Sequence, residues 1–223
     1  MDKEQLKSKY GDEKVLCVPR WYYESACKCS ANRQALDISI ANAGYFDYRY
    51  EVEMDESVLQ VIPYVVLKHE DKYFITLRLG GDERLQGMAA FLGGHIEPTD
   101  VEFSSDFKSG IKPIWTMYHG LMRELSEETT FMPGDHTTMK FNTVFVDNSS
   151  QVSRCHVCQL VIVEVNNANI EIRETDKLEG AWVTLGDLND LKANGKTEGW
   201  CGITIDLLNE VVYGWNYYSR RNN

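Results

Sequence analysis

The sequence predicts an α/β fold, a mixed sheet flanked by helices without the regular strand–helix alternation of a doubly wound domain. Two β-branched and aromatic runs, VLQVIPYVVLKH from Val58 and then KYFITLRL, read as a hairpin joined by the polar patch Glu70-Asp71-Lys72. Further along, Ile114, Met117, Leu121 and Leu125 recur at helical spacing behind Pro113, a residue suited to a first helical turn. The last stretch, CGITIDLLNEVVYGWNYYS, reads as an amphipathic helix that would close the structure.

Taken in order, residues 1–57 form a polar leader with short apolar pieces, VLCVPRWYY and YFDYRYEVEM. They lack the Ser/Pro/Gly bias of a disordered tail, so an N-terminal extension packed on the main domain is expected. The main domain is expected over 58–223, with the C-terminal helix included. After the hairpin, GGDERLQG reads as a loop and MAAFLGG runs into the glycine pair Gly93-Gly94. The helix behind Pro113 should end near Phe131, because Met132-Pro133-Gly134 stops it. FNTVFVD and VSRCHVCQLVIVEV read as strands, and AWVTLGDLNDL as a strand leading into a short helix. There are no internal repeats.

The chain has 223 residues, enough for one domain with a decorated core. Its 34 acidic residues against 23 Lys and Arg leave a formal net charge of -11, which argues against non-specific binding to nucleic acid or to an anionic membrane. If a substrate carries phosphates, something must offset repulsion at the site, and bound metal would do so. The start, MDKEQLKSKYGDEK, is charged and has no apolar core, so no secretory signal is expected. No run of about 18 apolar residues occurs, so no membrane-spanning helix is expected. Six cysteines are too few for a disulfide scaffold, and a cytoplasmic protein with reduced thiols is the expectation.

The informative segment is Arg123-Glu124-Leu125-Ser126-Glu127-Glu128. On a helix Glu124 precedes Glu127 by three residues and Glu128 by four, so three carboxylates share one face. Like charges that close repel, and Arg123 offsets only part of the repulsion. A divalent cation would account for the pattern, since Mg²⁺ is held by one or two carboxylates plus water and phosphate oxygens. A solvated acidic helix face is the bland alternative. Against it stands the glycine pair before His95-Ile96-Glu97-Pro98, a loop able to bring backbone close to a ligand.

Together, GGHIEP and GLMRELSEETTF resemble the Nudix box, whose pattern is G-x5-E-x7-R-E-U-x-E-E-x-G-U with U apolar. Gly94 matches the leading glycine, and Arg123, Glu124, Leu125, Glu127, Glu128 and Phe131 match the second half. The resemblance covers roughly residues 58–190, and the wider pattern is similar to bacterial Nudix proteins known as predicted phosphoesterases. It implies the Nudix α/β/α sandwich with a mixed sheet, plus an N-terminal extension. It also implies a hydrolase of a nucleoside-diphosphate-linked small molecule, working with Mg²⁺ or Mn²⁺. Under it, Glu124 and Glu128 would be metal ligands and Glu127 a third ligand or the base acting on water. Arg123 would orient a glutamate, and the Gly93 carbonyl would complete the metal shell. The family is often dimeric, and the apolar C-terminal helix would permit a homodimer.

This chain departs from the box in two ways. Fifteen extra residues precede Arg123, so that Asp100 occupies the place of the first glutamate in an ungapped reading. Thr130 stands where the family has glycine.

Other candidates are weaker. Glu179, three residues before Trp182, lies where the family often supplies one more catalytic acid. Arg78 at a strand end and Arg84 in the following loop are candidates to bind substrate phosphate. His95 and His119 lie near the box. Tyr45, Tyr48 and Tyr50 could stack on a base or simply pack. Cys155-His156-Val157-Cys158 resembles half of a zinc site, with Cys27-Lys28-Cys29 as a possible other half. Positions three apart on a strand face opposite sides, however, so buried free thiols are expected. Two rival functions remain, a diphosphate isomerase and a non-catalytic nucleotide sensor.

Overall fold

The computed structural model describes residues 2–79, 86–173, 175–176 and 178–219, with side chains as far as residue 210. Its elements follow in chain order. They are α1 (Lys3–Tyr10), β1 (Lys14–Pro19), α2 (Arg20–Cys27), α3 (Asn32–Ala43), β2 (Tyr45–Tyr48), α4 (Arg49–Val52) and β3 (Val58–His69). Next come β4 (Lys72–Arg78), β5 (Ala89–Ala90), β6 (Leu92–Gly93), α5 (Pro113–Glu128), β7 (His136–Phe145) and α6 (Gln151–Arg154). The series ends with β8 (His156–Val165), β9 (Leu178–Thr184), α7 (Leu185–Ala193) and α8 (Gly199–Ser219). This is the α/β architecture expected, with extensive antiparallel pairing.

The chain divides into two compact units. The first comprises Met1–Val65, Gly93–Glu127 and Lys140–Val161. Within it β1 is the hub, pairing antiparallel with β2 from Lys14↔Tyr48 to Cys17↔Tyr45 and with β3 from Cys17↔Gln60 to Pro19↔Val58. Its core joins β1 (Leu16, Val18), α3 (Leu36, Ile40), β3 (Leu59, Val61), the box loop (Ile96), α5 (Met117) and Val144 and Val157. Val58 through Leu67 are all buried, as befits a strand apolar on both faces. Gln60 is the polar exception in that run and is fully buried.

The second unit comprises Val66–Leu92, Glu128–Met139 and Ile162–Asn223. The expected hairpin is present, Lys68 facing Tyr73 and His69 facing Lys72, with Glu70 taking a left-handed φ of 53° in the turn. β9 pairs antiparallel with β4 along its length, from Lys72↔Thr184 to Arg78↔Leu178. Thr184 then caps α7, its hydroxyl accepting from the Asp187 amide while the Asp187 carboxylate accepts from the Thr184 amide. α7 and α8 are tied by a reciprocal amide pair between Asn189 and Asn209.

Two sequence expectations need adjustment. α5 ends at Glu128 rather than near Phe131. Thr129 bridges Ile172 and the Thr130 amide donates to the Glu171 carbonyl, so the chain leaves the helix by strand-like pairing before Pro133 is reached. VSRCHVCQLVIVEV is not strand throughout, because Gln151–Arg154 forms a single helical turn capped by the Ser150 hydroxyl.

Candidate active site

The box begins where β6 runs into the glycine pair. A Cβ on Gly94 would lie 2.1–2.3 Å from the carboxyl atoms of Glu124, so any other residue here would displace that carboxylate. Gly93 is as constrained, since its Cβ would meet the Pro63 carbonyl oxygen at 2.7 Å. Beyond His95, Pro98–Asp100 forms one 3₁₀ turn in which the Asp100 carboxylate accepts from the Glu97 amide at 2.8 Å.

Asp100 is buried and faces Arg123 on α5. Arg123 donates through Nε (3.1 Å) and Nη2 (3.0 Å) to the two Asp100 oxygens. Its Nη2 also donates to the His95 carbonyl at 2.7 Å, and its Nη1 to Glu124 at 3.0 Å and Glu127 at 3.1 Å. Glu97 stands 3.8 Å away. One guanidinium thus gathers four carboxylates and a backbone carbonyl. Burial opposes its charge, but Asp100, Glu124 and Glu97 outweigh burial and raise its pKa further.

The two nearer glutamates on α5 differ. Glu124 is largely buried, and burial, partly countered by Arg123, pushes its carboxyl up to about 7. Glu127 is 58% exposed, open to solvent and to whatever binds there. Glu128 is the last residue of α5, and its carbonyl accepts from the Arg173 amide.

The fifteen-residue insertion closes on itself between the 3₁₀ turn and α5. Phe103 bridges Ile111, the Ser104 amide donates to Gly110, the Lys112 amide donates to Glu102, and Lys112 and Glu102 form an ion pair at 3.3 Å. This narrow stem returns the chain to Pro113, which is how Asp100 and Arg123 meet although 23 positions separate them. Phe103 and Trp115 are exposed at its edge.

The remaining candidates are placed as follows. Arg78 on β4 is paired with Glu198. Glu179 sits on β9 opposite Leu77. Arg84 lies outside the described residues. His119 bonds the Asp100 carbonyl through Nδ1 at 3.1 Å. Tyr48 and Tyr50 stack on each other, and Tyr45 packs beside Val15, Cys17, Val52 and Val58. All six cysteines are free thiols and Cys155 and Cys158 are buried, although Cys155 caps the helical turn before β8 rather than lying on the strand.

One grouping was not anticipated. Glu53, His95 and His156 converge, one potential ligand atom from each lying within 4.8 Å of the others. They come from three distant segments, and no local spacing could have signalled them.

No protein-family model matches the chain. Protein YmaB of Bacillus subtilis (strain 168) is 27% identical over 164 residues, which is 72% of this chain and 76% of YmaB. Tm1382, a protein assigned to the Nudix hydrolases without an established activity, superposes with a TM-score of 0.70 at 25% identity. That superposition covers 89% of this chain and 99% of Tm1382. The NUDIX domain of Shewanella oneidensis NrtR, solved with ADP ribose, gives a TM-score of 0.44 at 17% identity over 59% of this chain and 77% of that one.

Proposed function

This chain belongs to the Nudix superfamily, and from that premise we propose that it is a hydrolase. It cleaves a phosphoanhydride bond in a nucleoside-diphosphate-linked small molecule with the help of a divalent metal ion. The observation that carries the reading is the set of four carboxylates, Glu97, Asp100, Glu124 and Glu127, gathered around Arg123 beside Gly94.

The donor set fits Mg²⁺ or Mn²⁺. Carboxylate and carbonyl oxygens are the ligands those ions prefer, and the loop at Gly94 leaves no room for a side chain against Glu124. Glu124, Glu127, Glu128 and the Gly93 carbonyl would hold the ion. When bound, it would neutralise charge on the phosphates and acidify an attacking water.

The chain's own residues supply the rest. Arg123, anchored by buried Asp100, fixes the rotamers of Glu124 and Glu127, so the carboxylates are positioned before substrate arrives. Exposed Glu127 is suited to take the proton from the water that attacks phosphorus, while the bridging oxygen leaves with the second phosphate. Asp100 serves as the box's upstream acid, acting on Arg123 rather than on substrate. Glu179, Arg78 and Arg84 are retained as candidates for a further acid and for phosphate contacts.

The test is release of phosphate or nucleoside monophosphate from a panel of diphosphate compounds with Mg²⁺ or Mn²⁺, run beside Glu127→Gln. Turnover by the parent that falls at least ~100-fold in the variant supports the hydrolase. No turnover on any compound, with tight calorimetric binding of one, would replace it by the sensor reading.

A further inference from the structure

Glu53 closes α4, His95 follows the glycine pair, and His156 opens β8; all three belong to the first compact unit. Glu53 and His156 are buried at 5% and 6% exposure, and His95 is partly buried. Their imidazole rings stand edge to face with centroids 5.5 Å apart. One nitrogen or oxygen from each residue lies within 4.8 Å of the other two. Donors around a first-row ion at ~2.0–2.1 Å sit roughly 3.3–3.6 Å from one another, so modest side-chain rotation would close the triangle.

The surroundings also match what metal-binding histidines require. A ligating imidazole normally offers one nitrogen to the ion and donates through the other to a protein oxygen that fixes ring and tautomer. His156 has its Nδ1 2.7 Å from the Val152 carbonyl, and His95 has its Nε2 2.9 Å from the Gln60 amide oxygen. Glu53 is oriented in the same way, accepting from the Tyr10 hydroxyl at 2.8 Å and from Arg49 Nε at 3.4 Å. Gln60, the polar residue in the otherwise apolar buried half of β3, turns its amide to Glu53 at 3.5 Å as well. A buried carboxylate beside one buried and one partly buried imidazole is expensive unless it is compensated. Arg49 supplies only part of that compensation, because it is shared with Glu13 at 3.0 Å.

We propose that Glu53, His95 and His156 form a second metal site, taking a first-row transition-metal dication such as Zn²⁺ and separate from the carboxylate cluster on α5. Two imidazoles with one carboxylate discriminate against Mg²⁺, which prefers oxygen alone, and favour Zn²⁺, Co²⁺ or Fe²⁺. The two sites meet in one residue. The His95 side chain belongs to the triad, while its carbonyl accepts from Arg123 at 2.7 Å. An ion in the triad therefore braces the loop on which the box begins.

The experiment uses the full chain, freed of metal and then held in excess Mg²⁺ so that the carboxylate cluster is occupied. Co²⁺ is titrated while its visible absorption is recorded, and Zn²⁺ uptake is measured by dialysis with elemental analysis. The expected result is one tightly held equivalent whose affinity falls at least ~10-fold in Glu53→Gln and in His156→Gln but is unchanged in Glu127→Gln. Circular dichroism of each variant separates lost ligands from lost fold. Zn-edge X-ray absorption of the parent chain needs no variant at all and should show imidazole scattering from two histidines. Uptake that Mg²⁺ abolishes, uptake lost in Glu127→Gln and kept in Glu53→Gln, or a zinc shell containing sulfur would each overturn the proposal.

Discussion

Arg123 grips Asp100 through two nitrogens, at 3.1 and 3.0 Å, although 23 positions and the inserted stem separate them in sequence. Asp100 is 5% exposed and Arg123 20%, so this is a largely desolvated pair, and the same guanidinium sets the two nearer glutamates of α5. Removing one partner of such a pair leaves a buried charge without its counterpart. The dependence runs from an aspartate that need not touch substrate to the groups proposed to act on it.

Asp100→Ala is therefore expected to cost ~3 kcal/mol in chemical denaturation, the scale set by broken buried pairs. Its protein that still folds should lose turnover through kcat, because Glu124 and Glu127 lose their common anchor. A destabilisation below about 1 kcal/mol would mean that Arg123 keeps its place without Asp100 and is held by Glu124 and Glu127 alone.

Gly94→Ala tests the loop. The added methyl would fall 2.1–2.3 Å from the Glu124 carboxyl, with Glu124 held on the other side by Arg123. Either the carboxylate or the loop must move, and each movement dismantles the proposed metal shell. The expected result is a folded protein whose thermal stability no longer rises when Mg²⁺ or Mn²⁺ is added. A metal-dependent rise equal to the parent's would place the ion elsewhere.

Thiol chemistry gives an independent check on the fold. Cys17, Cys155, Cys158 and Cys201 are buried, and burial drives the thiols of Cys155 and Cys201 up to about 11 and about 12. Thiolate is the reacting form, so these four should be silent toward an aromatic disulfide reagent at pH 8. Exposed Cys29 and half-buried Cys27 should react quickly, and the other four only when denaturant is added. Fast titration of more than two thiols would contradict the burial of Cys17 on β1, Cys155 and Cys158 at and on β8, or Cys201 on α8.

Much of the frame was legible because it rests on local periodicity. The two β-branched runs about Glu70-Asp71-Lys72 became β3 and β4, Ile114 to Leu125 became α5, and AWVTLGDLNDL became β9 and α7. The end of α5 was misjudged because Thr129 and Thr130 are claimed by residues 171–172, a long-range pairing that no stop signal announces. Within the candidate site, the shared helix face of Glu124 and Glu127 was legible from spacing, and Arg123 as the residue that orients a glutamate from the resemblance. The grip of Asp100 on Arg123 depends on how the stem folds, which counting residues does not reveal. The Glu53, His95 and His156 triad was out of reach for the same reason, since its members lie on three segments that only the folded chain brings together.

The buried Glu124 carries a consequence for stability that runs opposite to its proposed use. Burial raises its carboxyl from an ordinary 4.5 to about 7 in the metal-free fold. A carboxyl raised by folding favours the fold while it is neutral in both states, below about 4.5, and that contribution is lost as pH rises through 7. Metal-free Glu124→Gln should therefore be more stable than the parent at pH 8, by at most ~3 kcal/mol and less by whatever Arg123 loses with its partner. At pH 5 the parent's Glu124 is mostly protonated, and the gap between the two proteins should shrink toward zero. Adding Mg²⁺ at pH 8 should then stabilise the parent and leave the variant nearly unmoved, because only the parent keeps the charge that a cation can offset. Thermal melts at the two pH values, with and without Mg²⁺, read all of this directly. A variant less stable than the parent at pH 8 without metal would show that the Arg123–Glu124 pair outweighs the burial of the carboxylate.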